Sequence, residues 1–130
     1  MARRAWVPLL LLSGIVLIAS PSPAADAPAR PTATELRAKY DAGVQFVDVR
    51  SDAEWSAGHL KSAVHLPVDT VTTSAATALP DKSKPVVTYC QAGGRAQKAA
   101  EALRALGYTN VTAMSGGFPD LAAAGFPVER

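Results

Sequence analysis

The apolar positions of this chain fall into short extended bursts separated by stretches with helical spacing. The clearest burst is Val86-Val87-Thr88-Tyr89, four strand-forming residues entered through Pro85, where a missing N–H does least harm. After Arg95 the positions Ala96, Ala99, Ala100, Leu103 and Leu106 recur at the spacing of one helical face, and Gly107 suits the residue just past a helix end. Val44-Gln45-Phe46-Val47-Asp48-Val49, Ala63-Val64-His65-Leu66-Pro67 and Asn110-Val111-Thr112-Ala113-Met114 read as further strands. Thr32-Ala33-Thr34-Glu35 has capping-box spacing and predicts a short helix ending near Gly43. Ser51-Asp52-Ala53-Glu54 repeats that spacing and predicts a helix through Trp55 to about Ala57, after which Gly58-His59 turns the chain. Residues 69–80, rich in Thr and Ala, predict a loop with a weak helix. Ser115-Gly116-Gly117 predicts a turn, and residues 118–124 a short helix closed by Gly125. Strands alternating with helices at these distances imply an α/β fold, a mostly parallel central sheet with helices on both faces. Ligands in such sheets sit at the carboxyl ends of the strands.

The first residues follow a different logic. Arg3 and Arg4 are followed by an uncharged apolar run from Leu9 to Ala19, then by Pro21, Pro23 and the small residues Ser22, Ala24 and Ala25. That order is the pattern of a secretory signal peptide over residues 1–24, with a periplasmic or secreted mature protein and no membrane attachment after cleavage. The apolar run is shorter than the roughly 20 residues of a spanning helix, and an uncleaved anchor is the alternative. With no cysteine at the cleavage site, a lipoprotein is excluded. Residues 25–31 read as a flexible lead-in, and residues 32–130 as one domain. The chain carries 13 Lys+Arg and 11 Asp+Glu; without Arg3 and Arg4 the charges balance, which gives no indication of a nucleic-acid partner. A monomer is expected.

Chemistry concentrates between the central strand and its helix, in Cys90-Gln91-Ala92-Gly93-Gly94-Arg95. Two glycines let the backbone curl so that N–H groups point inward, toward the sulfur. The start of the following helix adds positive potential, and Arg95 adds a charge that does not titrate away. Such a cradle favours a thiolate and would also hold an anionic substrate, so Gln91, Ala92, Gly93, Gly94 and Arg95 are candidate anion-binding residues around a nucleophilic Cys90. A buried structural cysteine beside a glycine turn is the plain alternative; it leaves the two glycines, the arginine and the strand-to-helix position unexplained. Cys90 is the single cysteine of the chain, so no intramolecular disulfide can form. An unpaired thiol in an oxidising compartment is a liability unless it does chemistry.

These residues resemble the rhodanese family of sulfurtransferases. The resemblance runs from about Thr32 to Val128. It is carried by Asp48-Val49-Arg50, Glu54-Trp55, Gly58-His59-Leu60 and Ser62 to Pro67, then by the Cys90–Arg95 loop, Gly116-Gly117-Phe118 and Ala124 to Val128. Small exported rhodaneses of the phage-shock type are the most similar. The resemblance implies a three-layer rhodanese-like fold and a thiosulfate sulfurtransferase. The Cys90 thiolate takes the outer sulfur of a donor such as thiosulfate, and the resulting persulfide passes it to a thiol acceptor, or to cyanide in vitro. No metal or organic cofactor is implied. Two positions depart from the pattern: Ala96 replaces a common Ser or Thr, and Leu121 a common Trp.

The other polar residues have simpler readings. Asp48 and Arg50 are expected to support the loop through ion pairs, Glu54 to cap its helix, and His59 and His65 to be structural rather than bases. Trp55 and Phe118 are expected in the core. Two other functions compete with sulfur transfer. One is a carrier or sensor that holds persulfide sulfur without rapid turnover. The other is a phosphatase or arsenate reductase on the same fold, whose loop in that branch of the family has one more residue than the four between Cys90 and Arg95.

Overall fold

The computed structural model describes residues 14–16 and 30–130. The expected signal peptide and lead-in lie outside the described residues, apart from 14–16, 30 and 31. Among the described residues no helix is long and apolar enough to cross a membrane. In chain order the elements are α1 (Ala33–Asp41), β1 (Gln45–Asp48), α2 (Asp52–Ala57), β2 (His59–Leu60) and β3 (Val64–His65). A 3-10 turn (Val68–Thr70) leads into α3 (Val71–Ala78), followed by β4 (Val86–Tyr89), α4 (Gly94–Ala105), β5 (Val111–Ala113), α5 (Phe118–Ala123) and β6 (Val128–Glu129).

Four strands form a wholly parallel sheet in the order β3-β1-β4-β5. Its strands obey the two-residue period of a sheet buried on both faces. Along β4 and the residue after it, Val86 and Cys90 belong to one core and Val87 and Tyr89 to the other. In β1 and just beyond, Val47 and Val49 face the first core, and Phe46 the second. The first core is closed by α3 and α4 through Val71, Ala75, Ala96, Ala99 and Leu103. Alanines on the buried face of α4 let its backbone lie close to the sheet. The second core is closed by Leu36 of α1 and Leu121 of α5, with Phe126 beyond. The result is an α/β architecture of helix layer, sheet and helix layer.

Two expectations need correcting. Residues 69–80 contain a regular helix, not a loop with a weak one. Val71, Ala75 and Leu79 repeat every four residues and are all buried, and the Tyr108 hydroxyl donates to the carbonyls of Ala75 and Leu79 at 3.0 and 2.5 Å. The stripe is hard to see in sequence because the helix carries no charged residue on its exposed face. Gly58-His59 is also more than a turn. His59 and Leu60 form β2, which pairs antiparallel with β6 in a separate two-stranded sheet. Two-residue strands joined across most of the chain leave no local pattern.

Candidate active site

Because the four sheet strands run in parallel, their carboxyl ends emerge together, and the loops after β1, β4 and β5 meet there. Cys90 leaves the end of β4 with its side chain 1% exposed. Its Sγ accepts a hydrogen bond from the Gly93 N–H at 2.9 Å. Gly93 has φ of +109°, and a Cβ there would lie 2.6 Å from the Ser115 carbonyl oxygen. Both facts require glycine. Gly94 differs: it is the first residue of α4, and a Cβ would meet nothing within 4 Å. Of the paired glycines, only the first is needed for the curl. Gln91, Ala92 and Gly94 are exposed around the buried sulfur. No side chain caps the start of α4, so its first N–H groups keep their hydrogen-bonding capacity for other partners. Beside the loop lies a cleft of about 250 Å³, lined by Arg30, Ala92, Gly93, Gly94, Gln97 and Ser115.

The turn after β5 closes the loop from behind. The Phe118 N–H donates to the Cys90 carbonyl at 2.8 Å. The approach is so close that a Cβ on Gly117 would fall 1.9 Å from the Gln91 carbonyl oxygen and 2.8 Å from that of Cys90. Gly117 donates its own N–H to Asp120 Oδ2 at 2.9 Å. In the sequence this Gly-Gly pair reads as a turn and is among the residues that carry the family resemblance, with no role in the site assigned to it. Its place after a parallel strand, at the same sheet end as Cys90, is the signal that marks it as part of the site.

Arg95 is committed differently from expectation. Its guanidinium makes a two-pronged pair with Glu54, Nη1 to Oε1 at 2.7 Å and Nη2 to Oε2 at 3.0 Å. That hydrogen-bonded pair raises the Arg95 pKa, with a smaller electrostatic contribution from Cys90. It also pulls the Glu54 carboxyl down to about 2, Arg95 being the largest cause and the Ser51 hydroxyl a further one. Glu54 does accept the capping role in part: its N–H donates to Ser51 Oγ. Its carboxylate, however, receives Ser51 and Arg95 instead of turning back to the cap backbone.

Asp48 and Arg50 form a second, buried pair, at 0% and 3% exposure. Arg50 Nε reaches both Asp48 oxygens, and Nη2 reaches Oδ2 at 2.7 Å and the Gly58 carbonyl at 2.7 Å. Nη1 lies 3.5 Å from Gln91 Oε1, and the guanidinium stands 4.3 Å from the Phe118 ring centroid. Thus one buried cation touches the loops after β1, β4 and β5. His59 and His65 bond elsewhere: His59 Nδ1 to the Trp55 carbonyl and His65 Nε2 to the Arg50 carbonyl, each at 2.9 Å. Trp55 is not in the core; it is half-buried, stacked on both imidazoles. Phe118 is also half-buried, packed against the second core. Among the described residues no three His, Cys, Asp or Glu side chains gather as a metal site would need.

The chain is similar to known proteins in sequence and in fold. The family described as Rhodanese-like domain matches residues 32–124. Thiosulfate sulfurtransferase PspE of Escherichia coli is 37% identical over 81 residues, which are 62% of this chain and 77% of that protein. The tRNA uridine(34) hydroxylase of Erwinia tasmaniensis is 36% identical over 104 residues, 76% of this chain but only 30% of the relative. Among solved structures, a rhodanese with anions from E. coli superimposes with a TM-score of 0.59 at 34% identity, covering 66% of this chain and 96% of that one. The human single-domain sulfurtransferase TSTD1 gives 0.65 at 28% identity, covering 72% and 95%. From its β1 ion pair to the turn behind the cysteine loop, this chain belongs to the rhodanese-like domain family.

Proposed function

We propose that the protein is a thiosulfate sulfurtransferase working through a persulfide on Cys90. The observation that carries this reading is the sulfur at the end of β4, hydrogen-bonded by the Gly93 N–H beside an uncapped helix start. The Cys90 thiolate attacks the outer sulfur of thiosulfate. A Cys–S bond to that sulfur forms, the S–S bond within thiosulfate breaks, and its electron pair leaves with sulfite. A thiol acceptor, as its thiolate, then attacks the outer sulfur of the persulfide and restores the Cys90 thiolate; cyanide does the same and becomes thiocyanate. Gly93 N–H and the free N–H groups at the start of α4 supply positive potential for the sulfur anions. Near-complete burial of Sγ favours a small donor over a bulky one.

The similarity to a thiosulfate sulfurtransferase over 77% of that protein supports the same reading. The hydroxylase relatives share one domain with this chain, which spans less than a third of the first of them. The four-residue gap between Cys90 and Arg95 favours sulfur transfer over phosphate or arsenate chemistry. On the pattern of its first 24 residues we also place the mature protein in the periplasm or outside the cell. Intact-mass spectrometry after incubation with thiosulfate tests the chemistry: one added sulfur is expected on the wild type and none on Cys90→Ser. An unmodified wild type, or aryl-phosphate turnover rivalling sulfur transfer, would overturn the assignment. Sequencing the N-terminus of protein from its native envelope tests the location, and recovery of Met1 or Ala2 would refute it.

A further inference from the structure

Helix α2 carries Glu54, the partner of Arg95, yet it buries no residue of its own in either core. What fixes it is a stack of three rings. The Trp55 indole lies 3.4 Å from the His59 ring centroid at 3° and 4.6 Å from the His65 ring centroid at 11°. Two near-parallel imidazoles at those distances would overlap if they shared one face of the indole, so they lie on opposite faces. Each histidine also bonds to a backbone carbonyl bracketing the helix. His65 Nε2 meets the Arg50 carbonyl ahead of α2, and His59 Nδ1 meets the Trp55 carbonyl near its end, both at 2.9 Å. A carbonyl oxygen only accepts, so each of those nitrogens carries its proton. The second ring nitrogens approach carboxylates, His59 Nε2 at 3.5 Å from Glu129 and His65 Nδ1 at 3.8 Å from Asp52. His59 sits on β2 and His65 on β3, so the clamp ties α2 to both sheets at once.

We propose that Trp55, His59 and His65 are positioning residues for the active-site arginine: the ring stack sets Glu54, and Glu54 sets the Arg95 guanidinium beside the Cys90 loop. None of the three touches the sulfur through a hydrogen bond. They act through a helix tied otherwise by the Ser51 hydroxyl cap, the Glu54–Arg95 ion pair and the Arg50 hydrogen bond to the Gly58 carbonyl at its end. The idea deepens the sulfur-transfer reading and rests on it for its kinetic arm.

The experiment is a double-mutant cycle of Trp55→Leu with Arg95→Ala, with Trp55→Phe as the conservative variant. Two readouts are taken. The first is KM and kcat for thiosulfate. The second is the ratio of Cys90 alkylation rates by anionic iodoacetate and neutral iodoacetamide, which senses local positive charge without requiring sulfur transfer. Trp55→Leu should raise KM about tenfold, the size of one lost hydrogen bond to a charged group, with a smaller change in kcat, and should lower the alkylation ratio in the same direction as Arg95→Ala. Trp55→Phe, which can still stack, should restore most of both. In the Arg95→Ala background Trp55→Leu should add little. Additive effects in the cycle, or a folded Trp55→Leu with an unchanged alkylation ratio, would overturn the proposal. If Trp55→Leu does not fold, His65→Gln keeps an N–H for the Arg50 carbonyl while losing the ring face, and carries the same cycle. A wild type without thiosulfate turnover would reject the sulfur-transfer reading alone, because the alkylation arm would still report on the clamp.

Discussion

Gly117 is the point where the turn after β5 presses hardest on the cysteine loop. In Gly117→Ala the new methyl would begin 1.9 Å from the Gln91 carbonyl oxygen, well inside contact distance, and 2.8 Å from the Cys90 carbonyl. Both obstacles are backbone atoms, so no side-chain rotation relieves them. Either the loop or the turn must retreat, and the Phe118-to-Cys90 hydrogen bond of 2.8 Å stretches or breaks. Overpacking of this kind costs about 1–3 kcal/mol, and losing one buried hydrogen bond adds about 1 kcal/mol. The variant should therefore be destabilised by about 2–4 kcal/mol, a large share of the 5–15 kcal/mol typical of a domain. Urea unfolding at matched m-values measures the loss. Sulfur transfer, assayed where the variant is still folded, should fall as well, because the loop that holds Gly93 over Sγ has moved. A Gly117→Ala protein within about 0.5 kcal/mol of wild type and with unaltered kinetics would refute the claim that this turn shapes the loop.

Gly94→Ala should go the other way. Its Cβ meets open space at the first residue of α4, so the exchange should stabilise by about 0.5–1 kcal/mol, and a loss measured by the same urea titration would contradict the geometry. Glu54→Gln tests the Arg95 pair by acid. The Glu54 carboxyl is held at about 2, below its ordinary 4.5. The pair's contribution is therefore present above pH 4.5 and fades as pH falls toward 2. Because both side chains are about a third exposed, that contribution is about 1 kcal/mol at neutral pH. Wild type and variant should differ at pH 7 and converge near pH 2, and parallel stability curves would count against the pair. Tyr89→Phe removes the buried hydroxyl that accepts the Leu60 N–H at 3.1 Å. It should cost about 1–2 kcal/mol, seen as a lower urea midpoint, and no change would mean that another group satisfies Leu60.

The sheet and its largest helix were legible because periodicity is local. Val86 to Tyr89 and Ala96 to Leu106 declare their partners by spacing alone, and the glycine-rich loop between them marks the strand end where chemistry gathers. Arg95 and Glu54 were both legible as charged residues, but not as a pair. A capping-box spacing explains Glu54 fully within its own helix, and nothing within four residues points to a guanidinium elsewhere in the fold. The same holds for Trp55, His59 and His65. An indole at helical spacing reads as core, and only the fold of the chain around α2 turns it into the middle of a stack. Gly94 misled in the opposite sense: two adjacent glycines look equally necessary until φ separates them. What was hidden is whatever depends on side chains meeting over long sequence distances, including the two-residue strands β2 and β6.

The closure of the cysteine loop by Phe118 has a consequence for biosynthesis. A ribosome delivers Cys90 well before it delivers β5 and the turn that holds the loop shut, and the rest of α5 and β6 come later still. A nascent chain that has released β4 but not residue 118 therefore presents its thiol without its pocket, open to any oxidant or electrophile nearby. The hazard ends when the turn through Phe118 docks on the loop, and truncated products that stop short of it carry the nucleophile without the enclosure that tames it.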